Sequence, residues 1–69
     1  MVLYKGYDVV VLVSPQPSRS TFETTYAIYR GKTRLFTGIT PLEATSLEDG
    51  ERVGHAAARR WIDHAATRY

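Results

Sequence analysis

The sequence predicts an α+β fold: a three-stranded antiparallel meander sheet with one C-terminal helix packed on one face, in the order β-β-β-α. One long helical pattern runs from Ser46 to about Thr67, and three segments with β-type composition precede it. The pair Gly31-Lys32 between the last two segments is typical of a two-residue hairpin turn. Residues 1–69 are therefore expected to form a single β-β-β-α domain.

The predicted helix has an apolar stripe made largely of small residues. At about 100° per residue, one face collects Leu47, Gly50, Gly54, Ala57, Ala58, Trp61 and Ala65. Ser46 is a good N-cap. Two glycines inside a helix cost roughly 1 kcal/mol each relative to alanine, which close packing on a sheet would offset. A flexible hinge is the other explanation of these glycines. Trp61 is interpreted as a core residue beyond the small ones.

The strands are taken in chain order. Tyr4–Val13 is the first strand, and its Val9–Val13 part is apolar at every position. Ser14–Ser20 contains two prolines and three serines and is predicted to be a loop. Phe22–Arg30 and Thr33–Thr40 are the second and third strands, joined by a type II′ turn.

The turn predicts the register of this hairpin. If Arg30 faces Thr33, then Ile28 faces Leu35 on the core side, and the residues on the other side include Tyr29 and Phe36. Three strands at ~4.8 Å spacing are barely wider than one helix, so the helix covers a single face. The sequence leaves open which face of strand one is buried. The candidates for an interaction surface on the open face or the strand-one edge are Val9, Val11, Tyr29 and Phe36.

Charge is weak overall but ordered along the fold. The net charge is +2. The predicted topology brings four acids to one end of the molecule, Glu43, Glu48, Asp49 and Glu51. It gathers cations at the other end, Lys5, Arg30, Lys32, Arg34, Arg60 and Arg68. A basic end of this kind makes nucleic-acid binding, with Tyr29 and Phe36 stacking on bases, an alternative function.

Two stretches carry a resemblance to a known family. STFETTYAIYRGKTRLFTGIT, followed by AARRWIDHAA, resembles the β-β-β-α part of the double-stranded-RNA-binding domain, over residues 7–66. The chain also looks like small uncharacterised bacterial proteins of the same layout. The family's lysine-rich motif at the start of the final helix is replaced here by Glu48, Asp49 and Glu51, which would repel phosphate. The resemblance therefore implies the fold without the RNA-binding motif.

Residue types exclude most chemistry. The chain has no cysteine, its start lacks a signal-peptide pattern, and no stretch has the ~20 apolar residues of a membrane span, so we expect a cytoplasmic protein that does not bind membranes. His55 and His64 are nine residues apart on one helix and cannot share a metal. We expect no enzyme activity, catalytic residue, metal or cofactor. The predicted function is a small interaction module that binds a protein partner or itself, with a homodimer as one form of self-association.

Overall fold

A computed structural model describes residues 2–40 and 43–66, which form an antiparallel sheet and one C-terminal helix. The predicted α+β class is confirmed, but the sheet has four strands instead of three. The strands follow one another across the sheet in chain order, and each pairs antiparallel with the next. The elements are β1 (Val2–Tyr4), β2 (Tyr7–Gln16), β3 (Thr21–Arg30), β4 (Thr33–Ile39) and α1 (Leu47–Ala66).

The additional strand results from a tight turn inside the predicted first strand. Lys5 and Gly6 both have positive φ angles, 51° and 86°, the combination that a type I′ hairpin turn requires. The chain therefore folds back, and β1 pairs with the first three residues of β2. The prediction of one strand over Tyr4–Val13 was wrong because the X-Gly turn signal was overlooked.

The predicted loop Ser14–Ser20 is shorter than expected, because its first three residues continue β2. They pair with the start of β3, Pro15 opposite Phe22, and only residues 17–20 form the turn. Phe22 exchanges both backbone hydrogen bonds with Ala44, on the side away from β2. Pro15 and Phe22 therefore form a non-hydrogen-bonded pair, and the nitrogen of Pro15 points to the free edge of the sheet. A proline is tolerated there because no N–H is needed.

The register of the β3–β4 hairpin changes at a β-bulge. Arg30 pairs with Thr33 as predicted, through a turn in which Gly31 has a φ of 63°. Beyond Tyr29 the register shifts, and Ile28 pairs with Phe36 instead of Leu35. An inserted residue moves every later side chain of the strand to the opposite face. The predicted pairing past the bulge, and the placement of Phe36 on the open face, were therefore wrong.

Helix α1 begins as predicted and lies very close to the sheet. The backbone N–H of Asp49 donates to Ser46 Oγ at 3.1 Å, which confirms the N-cap. A Cβ added at Gly54 would lie 2.6 Å from Val11 Cγ1, a distance that real Cβ atoms do not reach. The small-residue stripe therefore serves close packing, as predicted. The buried core under the helix consists of Val9, Ile28, Ala58 and Ile62, with Trp61 packed partly buried against it.

Candidate interaction face

The side of the sheet opposite the helix is the candidate functional surface, and we call it the open face. Side chains alternate along each strand, and Ile28 is fully buried under the helix, so its neighbours Ala27 and Tyr29 lie on the other side. The ladder then assigns their partners on β2, β4 and β1 to the same side. The open face thus contains Leu3, Asp8, Val10, Leu12, Ser14, Gln16, Thr21, Glu23, Thr25, Ala27, Tyr29, Arg34, Thr37 and Ile39.

Large aliphatic side chains are exposed on the open face. Leu3 is 69% exposed, Leu12 is 63% exposed and Ile39 is 61% exposed. Single exposed apolar residues are ordinary on protein surfaces, but neighbouring ones on one flat face indicate a contact site. Leu12 and Ile39 flank Thr25 in one row across the sheet, so they belong to the same patch.

The open face has an uncharged centre between charged ends. Its two central rows contain only aliphatic residues and threonines, Val10-Ala27-Thr37 and Leu12-Thr25-Ile39. The row at one end carries Asp8 and Arg34 on either side of Tyr29, and the row at the other end carries Glu23. Within the described residues these three charged groups form no ion pair. An apolar centre with a polar rim is the usual anatomy of a protein interface.

Only one of the four predicted interaction residues lies on the open face. Tyr29 does, between Asp8 and Arg34. Val9 is buried in the core, Val11 lies under Gly54, and Phe36 stacks on Trp61 with ring centroids 5.4 Å apart. The sequence reasoning missed Leu3, Val10, Leu12 and Ile39. Because alternate valines of the strand contact the helix glycines, Val10 and Leu12, which lie between them, point to the open face. The Lys5-Gly6 turn, which was overlooked, places Leu3 on the same face.

The free edge of β2 is less suited to strand addition than the sequence suggested. Strand β1 covers the edge along Tyr7–Val9. Beyond β1, the backbone hydrogen-bonding groups of β2 alternate between β3 and the free edge. Since Phe22 bonds away from β2, the groups of Val11, Val13 and Pro15 point to the free edge, and the proline has no N–H. Prolines and bulges on outer strands are common devices against edge-to-edge pairing, and β4 has its bulge on the opposite edge. The open face is therefore the better candidate surface.

The predicted basic end is partly neutralised. Lys5 Nζ donates to Asp63 Oδ1 at 2.7 Å, and Tyr4 Oη donates to the same oxygen at 2.9 Å. The hydrogen bond to Asp63 raises the pKa of Lys5, and the same bond, followed by that from Tyr4, lowers the pKa of Asp63. Arg30 lies over the ring of Tyr7, 5.2 Å from its centroid. Two of the predicted phosphate-binding cations are thus engaged within the fold.

The other basic-end candidates do not form one cluster with these two. Arg34 is on the open face, whereas Lys32 is in the exposed β3–β4 turn and Arg60 is exposed on the helix. Arg68 lies outside the described residues. Cations that point from different faces contact a phosphate backbone less effectively than a continuous stripe.

The predicted acidic end is compensated in a similar way. Glu43 accepts hydrogen bonds from Thr21 Oγ1 and from Arg19 Nη1, both at 2.6 Å. The bond from Thr21, followed by that from Arg19, lowers the pKa of Glu43. Asp49 is bonded to Arg52 one turn later in the helix. The contacts of Glu43 attach the β2–β3 turn and the first residue of β3 to the segment before the helix. Glu48 and Glu51 are exposed on the helix.

Among residues 2–40 and 43–66, no three His, Asp or Glu side chains are close enough to hold a metal ion. Every buried side-chain nitrogen or oxygen in those ranges has a hydrogen-bond partner. None of the helices described there is long and apolar enough to cross a membrane.

Comparison with known proteins adds no relative. No family profile, curated protein or solved structure matches the chain. The resemblance to the double-stranded-RNA-binding domain and to small bacterial β-β-β-α proteins therefore stays a prediction.

Proposed function

We propose that this protein is a small, non-enzymatic interaction module that binds a protein surface through its open face. The observation that carries the proposal is the exposure of Leu3, Leu12 and Ile39 on a sheet face that no described helix or loop covers. A domain of two layers buries only one face of its sheet, so any layer over the open face comes from another molecule.

The hydrophobic contribution available at this face is substantial. Full burial of a leucine or isoleucine side chain contributes roughly 1.5–3 kcal/mol, so three that are about two-thirds exposed could contribute roughly 3–6 kcal/mol. Association has to overcome the loss of translational and rotational freedom, which consumes much of this gain. Binding through the open face is therefore expected to be reversible.

The titratable groups support a non-enzymatic role. The described groups with displaced pKa values are Lys5, Glu43 and Asp63, and each is in an exposed ion pair that joins two segments of the fold. Catalytic groups with perturbed pKa values are usually found in clefts, desolvated and beside a substrate site. These three groups are better explained as members of surface ion pairs that hold two segments of the fold together.

The proposal can be tested by site-specific photo-crosslinking. A benzophenone amino acid is placed at Leu12 on the open face or, as the control, at Leu47, which is 55% exposed at the start of the helix. In nuclease-treated native lysate, we expect discrete protein adducts from position 12 and only diffuse labelling from position 47. Equal labelling from both positions would remove the open face as the binding surface.

Nucleic-acid binding through the basic end is the alternative class, and a mobility shift separates it from the first. With Lys5 and Arg30 already engaged, we expect no salt-sensitive shift of single- or double-stranded RNA or DNA. A shift at low salt that Lys32→Glu abolishes would support the alternative.

A further inference from the structure

We infer that β1 is a releasable guard strand of the β2 edge, and that the carboxylate of Asp63 holds it closed. In the closed state β1 pairs with β2 along Tyr7–Val9. In the open state β1 separates from β2, while the other strands and the helix keep their arrangement. The guard strand thereby controls access to backbone groups that can pair with another strand. This edge is separate from the open face, so the guard strand and the proposed function can fail independently.

The guard strand satisfies the backbone groups of two residues of β2. On β2, every second residue counted back from Pro15 directs its backbone polar groups away from β3. Tyr7 and Val9 belong to this set, and they lie opposite Tyr4 and Val2 of β1. A two-residue hairpin turn closes on a hydrogen-bonded pair, so the turn geometry gives the same assignment. β1 therefore occupies the outward N–H and C=O groups of Tyr7 and Val9.

Without the guard strand, the free edge of β2 is long enough to accept a strand. Val11 and Val13 already direct their backbone groups outwards, and release of β1 adds those of Tyr7 and Val9. These four residues lie within positions 7–13, a segment of ordinary strand length. Pro15, which has no N–H, interrupts the row beyond them. The proline thus protects one end of the edge, and β1 protects the other.

Little apolar burial holds the guard strand in place. The strand has three residues, Val2–Tyr4, and Leu3 is on the open face, where it is 69% exposed. Val2 pairs with Val9 on the helix side but is 47% exposed, whereas Tyr4 packs partly buried against the core. Segments with few buried apolar contacts open locally at a much lower free energy than the core does. Local release of β1 is therefore expected.

The carboxylate of Asp63 attaches the guard strand and its turn to the helix. Tyr4 Oη donates to Asp63 Oδ1 at 2.9 Å, and Lys5 Nζ donates to the same oxygen at 2.7 Å. Lys5 has a left-handed conformation, with a φ of 51°, which Asn, Asp and Gly adopt more readily than lysine. The turn itself favours closure less than an Asn-Gly turn does. Closure therefore depends more strongly on the two bonds to Asp63.

Amide hydrogen exchange measured by NMR tests the release of β1. The N–H of Val9 bonds to β1 and that of Val10 bonds to β3, so two neighbouring amides report on the guard strand and on the sheet. In the unmodified chain, the protection factor of Val9 should be lower than that of Val10 by about 10-fold or more. Equal protection of the two amides would show that β1 leaves only when the whole domain unfolds, and would overturn the inference.

Replacement of Asp63 tests the anchor. Asp63→Ala removes both bonds and should lower the protection of Val9 by about 3- to 10-fold relative to Val10, a modest change because the ion pair is exposed. The matched control is Asp49→Ala, which removes an ion pair at the other end of the same helix. It should leave the ratio of the two protection factors unchanged. If Asp63→Ala lowered the protection of both amides equally, Asp63 would be a general stabiliser and the anchor would be refuted.

A reversible disulfide tests whether β1 controls access to the edge. Leu3 and Asp8 form a non-hydrogen-bonded pair, whose Cα atoms are ~4.5 Å apart in an antiparallel ladder, a distance that a disulfide spans. The sequence contains no cysteine, so Leu3→Cys with Asp8→Cys gives one defined bridge. Added to Asp63→Ala, this pair should show light scattering that grows with time when reduced, because released edges associate, and steady scattering when oxidised.

The Asp63→Ala chain without cysteines is the control for the redox reagents, and its scattering should be the same under both conditions. A non-reducing gel verifies that the bridge lies within one chain. A reduced form that scatters no more than the oxidised form would overturn the role of β1 as guard strand. None of these outcomes affects the crosslinking from position 12, which tests the open face.

Discussion

Replacement of Gly54 by alanine should destabilise the fold, although alanine is the better helix former. At an exposed helix position this change would gain roughly 0.8–1 kcal/mol. At Gly54 the new Cβ would lie 2.6 Å from Val11 Cγ1 and 2.7 Å from Thr24 Cγ2. Two β-branched side chains would have to move at once, and Thr24 is fully buried with its hydroxyl donating to Gly50 O at 3.2 Å. Overpacking costs about 1–3 kcal/mol, and two clashes favour the upper half of that range. The net loss is therefore expected to be about 1–2 kcal/mol.

Urea unfolding followed by far-UV circular dichroism measures this loss at a protein concentration where the chain is monomeric. For a domain of this size, 1 kcal/mol also shifts the melting temperature by about 4–8 °C. The matched control compares Arg60→Ala with Arg60→Gly, because Arg60 is exposed on the same helix and reports the propensity difference alone. In a Val11→Ala background the cost of Gly54→Ala should shrink, since two of the three nearest atoms are gone. If Gly54→Ala instead gained as much stability as the Arg60 pair predicts, the helix would not approach the sheet this closely.

Three further predictions concern the ion pair, the bulge and the edge. Because Lys5 lowers the pKa of Asp63, the ionised carboxylate stabilises the fold above its unfolded-state pKa, and this contribution is lost as pH falls through the lower folded-state value. A carboxyl NMR titration should show a low pKa for Asp63 that Lys5→Met returns towards the ordinary value. Phe36→Ala should cost roughly 1–3 kcal/mol and alter the near-UV signal of Trp61 without changing the crosslinking from position 12, and the opposite pattern would place Phe36 on the open face. Pro15→Thr restores an N–H to the free edge and should raise light scattering over time, whereas unchanged scattering would show that this edge is blocked by other means.

The helix start, the helix packing and the β3–β4 turn were predicted correctly, because local signals determine them. The helix start depends on the N-cap Ser46, and the helix packing depends on glycines whose spacing is visible in the sequence. The hairpin from Arg30 to Thr33 depends on a glycine at the first turn position. The Lys5-Gly6 turn was equally local, and the misleading feature was the apolar run after it, which suggested one long strand.

The bulge at Leu35 could not be predicted in the same way, because its stabilisation comes from residues far along the chain. The shift stacks the ring of Phe36 on Trp61 of the helix. It also places the ring centroid of Phe36 5.9 Å from that of Tyr26. These rings leave no room for a side chain at Gly38, where a Cβ would lie 2.8 Å from Phe36 Cε2. A glycine inside a strand often marks a close approach, and Gly38 marks the approach of these rings without giving the position of the bulge.

One residue of register thus decides which surface of the molecule remains for binding. Without the bulge, Phe36 would lie on the open face and enlarge its apolar area. With it, the rings join the helix side, and the centre of the open face combines aliphatic side chains with Thr25 and Thr37. Threonine hydroxyls remain hydrated when the face is free, so the monomer exposes a surface of intermediate polarity. Such a surface can associate and dissociate, which is the behaviour expected of weak interfaces rather than of obligate dimers with apolar cores.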